Sequence, residues 1–210
     1  MTERKNVLVA GANGTTGRII IDLLKKSDNY RPIAMIRNQK QKDHFEKENV
    51  STVLADLEEN LTQAVKNTYK VIFAAGSKGK NIIDVDQEGA KRLIDAAKLA
   101  MLEKFVMLST MGADNPAKGG DLEDYLRAKQ NADEYLKASA LNYSIVRPGS
   151  LTDKDSTGKI ELKERLEKRG SISRADVAKT LLEALEDDVM QNRTFEILSG
   201  EVPIEKAVRP

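Results

Sequence analysis

The feature that most constrains this chain is the run from Asn6 to Ile20, Asn-Val-Leu-Val-Ala-Gly-Ala-Asn-Gly-Thr-Thr-Gly-Arg-Ile-Ile. A short apolar stretch rich in branched residues meets Gly11, Gly14 and Gly17 and passes at once into an apolar-periodic segment. That order reads as strand, tight turn, helix. Each glycine stands where a side chain would obstruct. Gly11 lets the chain turn sharply off the strand, Gly14 lets backbone N–H groups come close to a pyrophosphate, and Gly17 lets the helix pack tightly on the strand. Asn13, Thr15 and Thr16 complete the turn. The helix then starts with unpaired N–H groups and its positive dipole end toward the phosphates. The stretch predicts a dinucleotide-binding turn; the plainer alternative is a structural turn before a helix.

The rest of the chain bounds that reading. At 210 residues it fits one domain with a substantial core, divided into a cofactor part over about 1–150 and a small substrate or lid part over about 151–210. Lys+Arg 34 against Asp+Glu 33 leaves a net charge of +1, so no global field favours nucleic acid or an anionic membrane. The absence of cysteine excludes disulfides, thiolate metal sites and a cysteine nucleophile together, and a single histidine, His44 in the charged segment Lys40–Glu48, makes no multi-histidine metal centre. His44 reads as a solvated surface residue. Met1–Asn6 is polar and lacks the form of a secretory signal, and no apolar run approaches a membrane span. The expectation is a cytoplasmic protein acting on a small molecule, without nucleic acid or membrane as partner and with a homodimer left open. Sparse aromatics and the lack of tryptophan point the same way for single-stranded nucleic acid.

The first helix is expected to end near Lys26. After the turn cluster Ser27-Asp28-Asn29, Tyr30–Ile36 reads as a second strand, with Arg37 at its carboxyl end. An acidic side chain there would bind the free ribose 2′-hydroxyl of NAD, whereas an arginine pairs with the 2′-phosphate of NADP. Arg37, with Lys40 and Lys42 close behind, therefore favours NADP over NAD; the alternative is a solvated basic run. Arg18 is either a surface residue or a second phosphate contact. Thr52–Ala55 forms a third strand, followed by Asp56 and Leu57, with helical character expected over Glu58–Asn67. Asp56 would suit a helix cap. Val71–Gly76 is a fourth strand, continuously apolar as a strand covered on both faces should be, and it brings Ala74, Ala75 and Gly76 to its carboxyl end. A helix over Asp86–Ala100 and a fifth strand, Phe105–Leu108, follow. Alternating strands and helices imply an α/β fold with a parallel, doubly wound sheet of Rossmann type and a ligand site at the strands' carboxyl ends.

The fifth strand ends in Ser109-Thr110, and a helix expected over Leu122–Ala138 carries Tyr125 and Lys129. Four residues apart on a helix is one face, so the ammonium can lie beside the phenol. A free phenol holds its proton at neutral pH; a nearby cation favours the phenolate and eases proton exchange with an alcohol or carbonyl oxygen. A hydroxyl from Thr110 or Ser109 would hold the same oxygen. The alternative for the pair is a solvated tyrosine-lysine helix face.

The succession of glycine turn, Arg37, Asp56, Gly76, Ser109-Thr110, Tyr125 with Lys129, and Arg147-Pro148-Gly149 after a strand over Asn142–Val146 resembles the atypical short-chain dehydrogenase/reductases. The nearest group is the small NAD(P)H-binding, NAD-dependent epimerase/dehydratase-like proteins. The resemblance covers nearly the whole chain. It implies an NADP(H)-dependent oxidoreductase with Tyr125, Lys129 and Thr110 as the catalytic set, Lys129 also touching the nicotinamide ribose. It further implies Asp56 at the adenine amino group and Pro148-Gly149 beside the nicotinamide. Related small proteins that lost the tyrosine act as flavin or biliverdin reductases, or sense the nucleotide without turnover.

After Gly149 about 60 residues remain, too few for a large substrate domain. Asp153–Gly158 is a turn-rich loop, and the charge run Lys163–Arg169 reads as a solvated helix face, the alternative being a contact with an acidic partner or a substrate phosphate. Ser173-Arg174-Ala175-Asp176 has capping-box form ahead of the apolar face Val177, Leu181, Leu182 and Leu185, a structural feature. Thr194–Leu198 reads as a late strand and Ser199–Pro210 as a tail.

Overall fold

The computed structural model describes residues 4–77 and 79–209; the start of the polar lead Met1–Asn6 and the last residue of the tail, Pro210, lie outside them. Strand β1 (Lys5–Ala10) turns through Gly11–Gly14 into helix α1 (Thr15–Lys25). Strand β2 (Tyr30–Ile36), helix α2 (Gln39–Lys47) and strand β3 (Ser51–Leu54) follow. Strand β4 (Lys70–Phe73) leads through a π-helical segment, Ile82–Gly89, into helix α3 (Ala90–Leu99). Strand β5 (Lys104–Leu108), helix α4 (Glu123–Ala138) and strand β6 (Tyr143–Pro148) complete the nucleotide-binding half. Beyond them lie β7 (Ser150–Thr152), β8 (Lys159–Lys163), β9 (Ser171–Ser173), α5 (Arg174–Glu183), β10 (Arg193–Ser199), β11 (Val202–Pro203) and α6 (Ile204–Ala207).

The main sheet has nine strands in the order β11-β8-β10-β6-β5-β4-β1-β2-β3. From β10 to β3 every neighbouring pair is parallel, and β8 joins antiparallel. Strand order reverses at β1, the switch point at which a doubly wound sheet opens a crevice beyond its carboxyl ends. Because both faces are covered, alternate residues of one strand serve two cores. Val7 and Val9 of β1 point to the α1/α5 side, and Leu8 and Ala10 to the α3 side. This two-faced burial is why β1 past Asn6, β4 past Lys70 and β5 past Lys104 run apolar to their ends.

Several expected elements differ. Glu58–Asn67 forms turns rather than a helix: the Asp56 side chain accepts the Glu58 amide at 3.0 Å and Asn60 accepts that of Thr62 at 2.9 Å, local bonds that compete with helical ones. Asp56 is thus an Asx-turn residue and caps no helix. The Lys163–Arg169 run is the end of β8 and an irregular loop, pinned where Glu196 accepts the Leu166 amide at 2.6 Å. Strand β4 stops at Phe73, short of Gly76. The helix expected from Asp86 is π-helical through Gly89, and Arg147 and Pro148 lie within β6 rather than after it. Lys40–Glu48 contains a helix capped by Asn38, whose side chain accepts the Gln41 amide.

The capping reading of Ser173 holds, with its hydroxyl accepting the Asp176 amide at 3.0 Å. Asp176 does more than lie in a first turn. Its carboxylate accepts hydrogen bonds from Ser173 Oγ (2.8 Å), Ser156 Oγ (2.6 Å), the Thr157 amide (3.1 Å) and the Gly158 amide (2.9 Å), binding the loop Asp153–Gly158 to α5. Burial pushes this carboxyl up, but those hydrogen bonds outweigh it and hold it below the usual carboxylate range. An Asp176→Ala variant is expected to lose about 2–3 kcal/mol at neutral pH, since several buried donors lose one acceptor. The gap to the parent should narrow in acid, because a depressed folded-state carboxyl contributes stability above about pH 4 that is lost as pH falls through its folded value. Urea denaturation of both proteins at neutral and acid pH measures it.

Candidate nucleotide site

The register of the parallel strands lines up one edge of the sheet. Ala10 pairs with Phe73, Phe73 with Met107, Leu108 with Val146, and Ile36 with Leu54. Gly11, Arg37, Ala74, Ser109 and Thr110, and Gly149 therefore emerge together where these strands end, with Asp56 following β3 closely. The close approach at the first turn is visible in atoms. Gly11 has φ +85°, open to glycine and strained for other residues, and a Cβ there would meet the backbone of Ala74 and Ala75 at 2.6 Å. A Cβ on Gly17 would collide with the carbonyl of Gly11. Gly14 caps α1 with no side-chain hydrogen bond and its amide bonds Gly11 O at 2.9 Å. The first turn of α1, Thr15 exposed and Thr16 buried, carries no acidic residue, so its N–H groups keep their positive end open.

Arg18 and Asn13 brace this turn. Asn13 Oδ1 accepts from Arg18 Nη2 at 2.6 Å, the guanidinium stands 6.0 Å from the centre of the Phe45 ring, and Nη1 meets His44 Nε2 at 2.7 Å. His44 is only part-exposed and also faces Glu48 at 3.4 Å, so it is less free than a plain solvated residue. Arg37 is exposed, and among the described residues its guanidinium has no protein partner. Leu57 turns its side chain into the core beside α3.

The hydroxyls at the end of β5 separate. Ser109 Oγ donates to Asp133 Oδ2 at 2.9 Å, and the same oxygen accepts from Arg147 Nε at 2.9 Å and Nη2 at 2.8 Å. Burial pushes the Asp133 carboxyl above its ordinary range against the pull of the Arg147 guanidinium and the Ser109 hydroxyl. Ser109 is thus committed to a buried ion pair. Thr110, half-buried, makes only a long 3.4 Å contact with Met111 O.

Lys129 is 3% exposed. Its ammonium donates to Leu108 O at 3.3 Å and lies 5.9 Å from the centre of the Tyr125 ring and 6.0 Å from that of Phe73. Tyr125 is half-buried and, among the described residues, its hydroxyl has no hydrogen-bond partner. The last expected pair, Pro148 and Gly149, reaches the same edge: Gly149 donates to Ile197 O at 3.1 Å, packed so closely that a Cβ would meet Gly170 O at 2.6 Å. A pocket of about 630 Å³ opens beside α4, between Asn81 and Ile83 at the start of the π-helical segment and the helix residues Asp124, Arg127 and Asn131.

Sequence reasoning missed Asp86 and Asp133, two buried acids that reach Lys129 and Ser109. The signal for both was an acid at an otherwise apolar position of a helix packed on the sheet.

Comparison with known proteins identifies the family. A family model described as NAD(P)H-binding matches residues 11–188. An uncharacterized sugar epimerase of Bacillus subtilis is 37% identical over 211 residues, covering 97% of this chain and 98% of that one. A structure from Bacillus halodurans, named as an NAD-dependent epimerase/dehydratase, superposes with a TM-score of 0.91 at 37% identity, covering 97% and 98% of the two chains. The oxidoreductase ylbE of Lactococcus lactis gives 0.87 at 30% identity, covering 97% and 94%. No helix among the described residues is long and apolar enough to cross a membrane. The glycine turn at the switch point, the matching family model and these relatives lead to one assignment: the chain belongs to the NAD(P)H-binding family, with the Rossmann architecture of the atypical short-chain dehydrogenase/reductases.

Proposed function

We propose that the chain is an NADPH-dependent oxidoreductase acting on a small carbonyl or alcohol. The observation that carries the reading is the placement of the Lys129 ammonium between the Tyr125 ring and the carbonyl end of β5, on the sheet edge from which the glycine turn also emerges. The residues fit a dinucleotide: Gly11 and Gly17 let the backbone pack into a tight turn that leaves the first N–H groups of α1 open, and the buried Ser77 Oγ just beyond β4 has no hydrogen-bond partner. Gly11, Asn13, Gly14, Thr15, Thr16 and Gly17 would hold the pyrophosphate, Arg37 the 2′-phosphate, and Asp56 and Leu57 the adenine end. Ala74, Ala75, Gly76, Pro148 and Gly149 would line its path to the nicotinamide. When bound, a nicotinamide supplies or accepts the hydride. Tyr125 gives or takes the proton at the substrate oxygen, Lys129 favours the phenolate and anchors the ribose, and Thr110 holds the substrate oxygen because the Ser109 hydroxyl is committed to Asp133.

A fluorescence titration with NADPH and with NADH, on the parent and on Arg37→Ala, tests the cofactor assignment. The variant should lose about 10- to 100-fold in NADPH affinity, as expected for a hydrogen-bonded charge contact, with NADH little changed. Equal loss for both nucleotides removes Arg37 from the 2′-phosphate, and binding of neither removes the oxidoreductase reading.

A further inference from the structure

Asp86 lies in the middle of the π-helical segment Ile82–Gly89 and is 1% exposed. Its Oδ2 accepts the Ser77 amide at 3.0 Å. Its Oδ1 is buried without a hydrogen-bond partner and stands 3.5 Å from Lys129 Nζ. π-helical turns are rare and recur at functional sites, where the altered spacing re-aims a side chain. Here it directs a carboxylate at the lysine beneath Tyr125. A buried ammonium is costly without acceptors around it, and besides Leu108 O the acceptor at hand is Asp86. Asp86 supplies the pairing, and in doing so it opposes the field the ammonium would otherwise exert on the phenol.

We propose that Asp86 is a positioning residue that, by pairing with Lys129, sets how readily Tyr125 gives up its proton. The inference rests on the roles of Tyr125 and Lys129 given above. An unpaired Lys129 would act on Tyr125 as a full positive charge 5.9 Å from its ring centre, whereas the Lys129–Asp86 pair acts as a dipole. Of the charged groups on neighbouring elements, Asp133, one turn on along α4, also feels Lys129 and is itself held by Arg147 of β6. From the sheet, β4 presents the Phe73 ring and β5 the Leu108 carbonyl.

Spectrophotometric titration of tyrosinate tests this without substrate or nucleotide. The chain has five tyrosines and no tryptophan, and the Tyr125→Phe variant identifies the Tyr125 transition by subtraction. Burial pushes Tyr30 well up, and the hydrogen bond to Asp95 raises Tyr135. Asp86→Asn is expected to move the Tyr125 transition down by about one pH unit, Lys129→Met to move it up by a similar amount, and the double variant to return it close to the parent. A transition left in place or raised by Asp86→Asn overturns the proposal. Should that variant fail to fold, Lys129→Met alone decides, and a transition that does not rise overturns it equally. A purely structural Asp86 would change melting temperature without these opposed shifts. Turnover plays no part in the readout, so a failed oxidoreductase assay and a failed titration are separate results.

Discussion

In a Tyr125→Phe variant, turnover of a carbonyl substrate with NADPH is expected to fall about 100- to 10,000-fold, the usual worth of a positioned general acid. NADPH affinity and melting temperature should stay at parent values. The reason lies in how little else the hydroxyl does: among the described residues it has no hydrogen-bond partner, so its removal strands no buried group. The phenylalanine ring keeps the face that Lys129 stands over. Initial rates at saturating NADPH, with a panel of small aldehydes and ketones, make the measurement. A drop confined to turnover assigns the proton step to Tyr125. Unchanged turnover removes Tyr125 from that role, and flavin reduction surviving in the variant marks a reductase that depends on hydride geometry alone. A protein that only senses the nucleotide loses nothing, because it turns nothing over.

The parts of this fold that were legible before the structure share one cause. β1, β4 and β5 are covered on both faces, so past their polar opening residues they are continuously apolar, and Gly11 and Gly17 beside β1 mark backbone contacts that no side chain permits. Helix α2 was not legible because Phe45 is its one buried residue; its stability comes from the Asn38 cap and one ring, which leave no periodic stripe. Glu58–Asn67 misled in the opposite direction, with Leu61, Ala64 and Val65 buried from turns as effectively as from a helix. At the site, spacing along one helix placed Tyr125 beside Lys129. The partners that fix their chemistry come from other elements. Asp86 reaches Lys129 from the π-helical segment before α3, and Ser109 is withdrawn from the site by an acid on α4.

The buried pair Asp133–Arg147 should give the largest stability effects, and unequal ones. Asp133→Ala leaves a guanidinium, 7% exposed, without its hydrogen-bonded ion-pair partner, and arginine cannot shed its proton. The expected cost is about 3–5 kcal/mol, with the Ser109 hydroxyl losing its acceptor as well. Arg147→Met leaves a carboxyl that burial already pushes upward, and that group can escape its charge by taking a proton. Its cost should be smaller, about 1–3 kcal/mol, and dependent on pH. A carboxyl raised in the folded state contributes stability that is full below its unfolded value near pH 4 and is lost as pH rises through the folded one. Arg147→Met should therefore be closest to the parent in mild acid and fall away toward neutrality, while Asp133→Ala stays low throughout. Replacing both, Asp133→Leu with Arg147→Met, removes the desolvated charges together and should recover most of the loss, because no buried ion is left alone. Urea denaturation of the three variants at pH 5 and pH 8 measures all of this. If the single variants cost the same at both pH values, the carboxyl is not the group that burial holds up, and the pair behaves as two solvated charges.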